Sequence, residues 1–192
     1  MRAEEILAND ADIFEGPSDI LHVVMLSLDF LTNFKRATEA NWAEKSIDPA
    51  LYGFQFQRGT RWNKGLSDEM VTEYERVLRI RFPHDFKAFL CEMNGTDLAT
   101  LNVYGSCSEA PRESVGVYSY PRDIGAVKER IERIHASRIE IAPDLFGQGF
   151  ELPAEAKLVP IYIHRYVVCT SDLNSKSRAI ACVNVIKKTT AY

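Results

Sequence analysis

Apolar residues recur along this chain at two periods, first at helical spacing and later at strand spacing. After a break at Gly16-Pro17-Ser18, they lie three or four positions apart, which predicts a long amphipathic helix from about residue 19 into the thirties and as far as Lys45. These positions are Ile20, Leu21, Val24, Leu28, Leu31 and Phe34. Residues 51–56 alternate partially between apolar and polar, and residues 58–64 are predicted to be loop.

Residues 65–95 contain the clearest helix signals. Ser67 is a preferred N-cap, and Asp68 and Glu69 place negative charge in the first turn, where the helix dipole favours it. Pro83 suits the first position of a second helix, and Asn94-Gly95 suits its end, with the glycine in a left-handed conformation. We therefore predict two short helices at an angle, each burying one apolar face.

The second half of the chain is richer in β-branched and aromatic residues. Strands are predicted at residues 98–104 and 115–120, over 158–170 and again over 178–185, the last two as an antiparallel hairpin or meander. A helix is predicted to start at Pro121-Arg122-Asp123, and residues 137–157 are predicted to be loop with a short helical turn. This order predicts an α+β fold, a mostly antiparallel sheet flanked by helices, with an N-terminal amphipathic helix.

Composition agrees with one soluble globular unit. The 192 residues are 46% hydrophobic and 26% charged, which we divide into an N-terminal helical extension over 1–60 and an α+β domain over 61–192. The N-terminus has no signal-peptide pattern, and no apolar run approaches the roughly 20 residues of a membrane span. The four cysteines form no zinc motif. We expect free thiols, a cytoplasmic location and no membrane association.

Acidic residues concentrate at the N-terminus. Residues 1–30 hold seven acidic side chains against one basic residue, Arg2, whereas the formal net charge of the whole chain is −4. One interpretation is a solvated helix face, and the other is a contact surface for a basic protein, with Asp10, Asp12 and Glu15 as candidates.

Motifs that carry chemistry are missing. No phosphate-binding loop, nucleophile elbow or HExxH motif occurs, and we expect no cofactor, no metal and no catalytic residue. A Cys169–His164 pair is conceivable, but an odd separation along a strand turns the two side chains to opposite faces. An enzyme built on His164, Arg165 and Asp172 is the weakest alternative. Basic stripes with interleaved aromatics are also missing, which argues against nucleic-acid binding.

The segment GLSDEMVTEYERVLRIRFPHDFKAFLCEMNG, residues 65–95, resembles the signature of the SUKH superfamily. The matching positions are Ser67, Glu75, Pro83, Phe89, Leu90, Asn94 and Gly95. Trp62 before this segment, the YPRD sequence at 120–123, and LVPIYIHRYVVC at 158–169 are similar to other parts of the family pattern. The residues after Gly95 depart from it, because they are not glycine-rich.

The resemblance implies an α+β fold and a non-enzymatic, protein-binding role. Many bacterial members of the superfamily are immunity proteins that neutralise secreted toxins, often nucleases, and a yeast member regulates cell-wall synthesis. We therefore expect an immunity protein whose partner is a toxin domain. The alternative is a general regulatory or scaffolding module that binds a host protein or peptide.

Five residues of the matched region are candidate partner contacts, each with a structural alternative. Trp62 is either a lid over the core or an anchor for a partner, since tryptophan is enriched at interface hot spots. Glu75 lies between apolar positions, where it either pairs inside the domain or contacts a partner. His164 and Arg165 interrupt the β run, as a structural polar network or as a site in a concave sheet face, because a buried arginine would need a carboxylate or similar partner. Tyr166, the next residue of the run, is the fifth candidate.

Overall fold

The computed structural model describes residues 27–104, 110–147, 151–169 and 182–184, and within them the α+β prediction is confirmed. The elements are, in order, α1 (Leu28–Glu44), β1 (Tyr52–Phe56), β2 (Trp62–Lys64), α2 (Asp68–Leu78), α3 (His84–Glu92), β3 (Met93–Thr96), β4 (Thr100–Tyr104), β5 (Arg112–Ser114), α4 (Ile124–Ala136), α5 (Arg138–Gly147), β6 (Lys157–Tyr162), β7 (Arg165–Cys169) and β8 (Cys182–Asn184).

Among the described residues, all strand pairs are antiparallel, and they form three small sheets. The sheets have the orders β1-β4-β5, β2-β3 and β6-β7-β8, and an isolated bridge joins Val117 to Tyr162 of β6. The predicted division at residue 60 falls between β1 and β2. Strand β1, which precedes residue 60, pairs along its length with β4, which follows it. Residues from both sides of the predicted division therefore lie in one sheet.

The β6-β7-β8 meander carries the core on both of its faces. Along β7, Val167 and Cys169 belong to the cluster formed with α2, α3 and α4. Tyr166 and Val168 alternate with them and belong to a second cluster beside α5. Since successive strand side chains point to opposite faces, burial of both faces explains why residues 158–169 are almost continuously apolar.

Helix starts follow the local capping chemistry. The Ser67 hydroxyl accepts a hydrogen bond from the Met70 N–H at 3.3 Å, which confirms the predicted cap of α2. A helix running unbroken from residue 19 is wrong, because Ser27 is extended and its hydroxyl caps α1 through the Phe30 N–H at 3.1 Å. Residues 19–26 lie outside the described residues. Pro83 is the N-cap of α3, one position earlier than predicted.

Asn94 and Gly95 do not end α3. That helix ends at Glu92, and both residues lie in β3. Gly95 has the predicted positive φ, 69°. Glycine is also needed there because a Cβ would lie 2.7 Å from the Ser119 Cβ. The Asn94 side chain donates to the Tyr120 carbonyl at 2.7 Å and accepts from the Tyr120 N–H at 2.8 Å. The pair thus fixes the turn before α4.

Three further predictions of secondary structure are wrong. Residues 62–64, predicted as loop, form β2, because they pair with β3. Residues 115–120 are not a strand, because their backbone is used for the bridge to β6 and for the contacts of Asn94 with Tyr120. Residues 138–147 are helical although Pro143 lies inside, and the Arg138 guanidinium binds the Leu152, Pro153 and Ala156 carbonyls beside them.

The predicted β run over 158–170 folds back on itself. It forms β6 and β7, joined by a turn at Ile163-His164. Ile163 has a φ of 49°, which is rare for a β-branched residue. Its N–H donates to the Gly116 carbonyl at 3.0 Å, and its carbonyl accepts from Arg130 at 2.9 Å. These contacts from two other segments hold the turn in place.

Candidate partner-binding groove

An open groove of about 570 Å³ lies between α1, β1 and the β6–β7 hairpin, and we call it the aromatic groove. Most of its wall is aromatic or aliphatic, with a few polar groups. It is lined by Phe34, Thr38, Asn41, Trp42, Lys45, Phe54, Gln55, Phe56, Trp62, Phe89, Val117, Ile161, Tyr162 and Arg165. Two of the predicted contacts, Trp62 and Arg165, are among them.

Trp62 is fixed at the base of the groove by polar contacts with α1. Its indole N–H donates to the Thr38 hydroxyl at 2.8 Å, and its backbone N–H donates to the Glu39 carboxylate at 2.9 Å. Its ring contacts those of Phe34, Trp42 and Phe89. The ring remains half-buried, so it closes the core on one side and forms groove surface on the other.

Stacked rings continue from Trp62 across the groove. Trp42 stacks on Phe56 with centroids 4.3 Å apart, and Phe56 stacks on Tyr162 at 5.7 Å. The Arg165 guanidinium lies 5.5 Å from the centroid of the Tyr162 ring. Helix α1, strand β1 and the β6–β7 hairpin are thereby joined by aromatic contacts, which are worth roughly 0.5–1.5 kcal/mol each beyond the area they bury.

The charged groups that line the groove are basic. They are Lys45 at the end of α1 and Arg165 at the start of β7, and both side chains are exposed. Arg165 is not the buried arginine that the sequence suggested, so it needs no internal carboxylate. The β6–β7 turn places it at the rim instead.

His164 occupies the same turn, outside the groove. Its ring meets that of Phe54 edge-on at 5.9 Å. Partial burial, followed by the nearby Arg130 and Arg165 guanidinium groups, lowers the pKa of His164 below its ordinary value of 6.5. Three basic groups therefore converge at this turn.

The lowered pKa of His164 predicts a pH-dependent stability. Because the unfolded chain binds this proton more readily than the folded one, the free energy of unfolding should fall as the pH falls from about 7 through 6.5 and below. We expect urea midpoints measured at pH 7.5 and 5.5 to differ less for His164→Gln than for the unaltered chain. Equal differences in the two proteins would contradict this assignment.

The remaining predicted contacts lie elsewhere. Tyr166 is 1% exposed and belongs to the core cluster beside α5. Glu75 is also buried, and its carboxylate accepts from the Phe82 N–H at 2.6 Å and pairs with Lys87 at 2.9 Å. Of its two proposed roles, pairing inside the domain is the one observed. Asp10, Asp12 and Glu15 lie outside the described residues.

Cys169 and His164 do not form a nucleophile–base pair. His164 lies in the turn before β7 and Cys169 is the last residue of β7, so a rise of about 3.3 Å per residue separates their Cα atoms by about 16 Å. Burial, with a smaller contribution from Glu75, raises the pKa of the Cys169 thiol. Cys169 and Cys91 are free thiols, and Asp172 lies outside the described residues.

The groove contains residues that the sequence did not single out, mainly Trp42, Phe56, Tyr162 and Lys45. Trp42 lies on the same face of α1 as Thr38, four residues earlier, and Lys45 is the C-cap of the helix, three residues after Trp42. The available signal was Trp42 itself, an aromatic residue among polar positions at the end of a predicted helix. Nothing in the sequence indicated that Phe56 would stack on Trp42, or Tyr162 on Phe56.

Comparison with known proteins returned no match to a family model, a curated protein or a solved structure. The resemblance to the SUKH superfamily therefore stays a prediction from the motifs. In the described ranges, no three His, Cys, Asp or Glu side chains are grouped to hold a metal ion. No helix there has the length and apolar composition to cross a bilayer.

Proposed function

We propose that this chain is a non-enzymatic protein-binding domain whose partner occupies the aromatic groove. The observation that carries the proposal is the row of half-buried rings, Phe34, Trp62, Phe56 and Tyr162, along an open groove. Binding energy in protein interfaces concentrates on tryptophan, tyrosine and arginine in well-packed pockets. The groove offers these three residue types together, on a base that internal hydrogen bonds hold fixed.

The side chains of the groove are held in place before any partner binds. Trp62 is held by Thr38 and Glu39, and the β6–β7 turn is held by Gly116 and Arg130. Side chains that are already ordered lose less entropy when a partner binds, so more of the contact energy appears as affinity. The site is thus suited to tight, preformed recognition of a protein surface.

The resemblance of residues 65–95 and 158–169 to the SUKH superfamily supports a specific partner class. We propose that the chain is an immunity protein acting in the cytoplasm, and that its partner is the toxin domain, a nuclease in many families of this kind, that it neutralises. The acidic N-terminal residues would add contacts to a basic toxin surface and speed association. A regulatory module that binds a host protein would use the same groove.

Co-expression separates these two functions. The candidate toxin is the C-terminal domain of a large secreted protein encoded beside this gene. Its expression would be induced in a susceptible host, with and without co-expression of this chain. An immunity protein restores growth, and the purified pair forms a stable complex. No protection, together with capture of a host protein that binds through the groove, would contradict immunity and favour the regulatory module.

A further inference from the structure

The basic side chains that line the aromatic groove have no carboxylate partner in the part of the chain that the structure describes. Among the described residues, no carboxylate forms an ion pair with Lys45 or Arg165. Beyond the rim, Arg130 and Arg165 both lie close enough to His164 for their charges to act on it. None of the described residues that line the groove is acidic. The charged side chains that line the groove are therefore all basic within the described chain.

Arg165 is oriented for a ligand by its neighbour. Its guanidinium lies against the Tyr162 ring at the groove rim, and the side chain is exposed. A guanidinium on an aromatic face keeps its N–H groups at its edge, where they match the two oxygens of a carboxylate. An apolar floor and a carboxylate-binding rim thus lie side by side.

We propose that the partner enters the groove with an acidic segment of polypeptide, in which a large apolar side chain is followed closely by an Asp or Glu. The apolar side chain lies on Trp62 and Phe56, and the carboxylate binds Arg165. This inference rests on the proposed function and adds the chemistry of the contacting segment. It is compatible with a toxin whose active groove is basic, because only the segment in contact is acidic.

Selection of random 12-residue peptides displayed on phage, against the immobilised full chain, tests the inference. We expect the enriched peptides to combine Phe, Trp or Leu with Asp or Glu within about three positions. The best peptide and its counterpart with lysine at the acidic positions would then be synthesised. Trp42 and Trp62 are the two tryptophans of the chain and both line the groove, so tryptophan emission reports binding directly, provided that the synthetic peptides carry Phe or Leu.

Charge reversal at the rim gives the decisive comparison. Arg165→Glu is expected to weaken binding of the acidic peptide at least tenfold and to make the lysine counterpart bind better than the acidic peptide does. Arg61→Glu, at an exposed residue that does not line the groove, is the matched control and should leave the preference for acidic peptides in place. Equal binding of both peptides to the unaltered chain would overturn the inference.

Failure of the inference can be told apart from failure of the proposed function. Apolar peptides that bind without acid preference, and that the uncharged substitution Asn41→Phe excludes by filling the groove, would overturn the acidic contact and leave the binding role intact. Enriched peptides that Asn41→Phe does not affect, or no enrichment at all, would contradict both. A dimer of the full chain that Asn41→Phe dissociates would identify a second copy as the occupant and overturn the inference.

The chain's own acidic N-terminus is the other occupant to test. A full-length variant with lysine at Asp10, Asp12 and Glu15 should have the same tryptophan emission as the unaltered chain when no peptide is present. A shift in that emission would assign the groove to the N-terminal segment and overturn the inference.

Discussion

Replacing Glu75 with alanine is expected to lower the free energy of unfolding by about 2–4 kcal/mol. Its carboxylate is 3% exposed and accepts a hydrogen bond from the Phe82 N–H at 2.6 Å. That N–H is buried in the link between α2 and α3, so removing its acceptor leaves it without a hydrogen bond. The two cations that pair with Glu75, Arg81 and Lys87, are partly exposed and can return to water.

Glu73→Ala is the matched control for this change. Glu73 lies on the same helix and pairs with Arg76 at 2.7 Å, but both side chains are exposed. Exposed ion pairs contribute about 0–1 kcal/mol. Denaturation in guanidinium chloride measures both variants. If the two substitutions lowered the free energy of unfolding equally, the charge of Glu75, and not its hydrogen bond to the Phe82 N–H, would support the fold.

Replacing Gly65 with alanine is expected to cost about 3 kcal/mol or more. A Cβ at Gly65 would lie 1.8 Å from the Cys91 carbonyl oxygen and 2.3 Å from its carbonyl carbon. Both atoms are backbone at the end of α3, so no side-chain rotation relieves the overlap. The chain approaches this closely because the Leu66 N–H donates to the Leu90 carbonyl at 2.9 Å. The substitution should therefore separate β2 from α3.

Gly125→Ala is the control, because a Cβ there meets nothing within 4 Å. Gly125 lies in the first turn of α4, and alanine in place of a helical glycine is neutral or stabilising by up to about 1 kcal/mol. Thermal and denaturant unfolding of both variants measures the difference. Similar stabilities of the two variants would show that the strand and helix move apart without cost.

Capping signals and apolar periodicity predicted the helices well where the cause is local. Ser67 caps α2 through the Met70 N–H three residues later, and the predicted helix start at 121–123 lies next to α4. Such contacts span a few residues, so they are visible in the sequence. The α+β class followed from the order of these elements.

Elements that depend on distant partners were not predictable in the same way. Trp62–Lys64 is a strand because β3, about 30 residues later, supplies its hydrogen bonds. Asn94 looks like a helix stop, yet its side chain binds the backbone of Tyr120. Gly and Pro between residues 143 and 153 suggested a loop, but burial of Ile141 and Leu145 outweighs Pro143 in α5.

The same distinction applies to the candidate site. Trp62 and Arg165 were identified because each is unusual in its own segment. Their position in one groove depends on Trp42, Phe56 and Tyr162, which come from three separate segments and meet through stacking. Conversely, Tyr166 is next to Arg165 in sequence and faces the other side of the sheet, because strand side chains alternate.

Blocking the groove tests the central claim most directly. Asn41 is exposed on α1 and lines the groove, whereas Ala40 is exposed and does not line it. Isothermal titration with the toxin domain proposed as the partner would give the dissociation constant for Asn41→Phe, Ala40→Phe and the unaltered chain. A partner in the groove predicts a loss of roughly 100-fold or more, about 2.7 kcal/mol, for Asn41→Phe, and a change of less than about threefold for Ala40→Phe, with unfolding midpoints alike. Unaltered affinity of Asn41→Phe would contradict the claim.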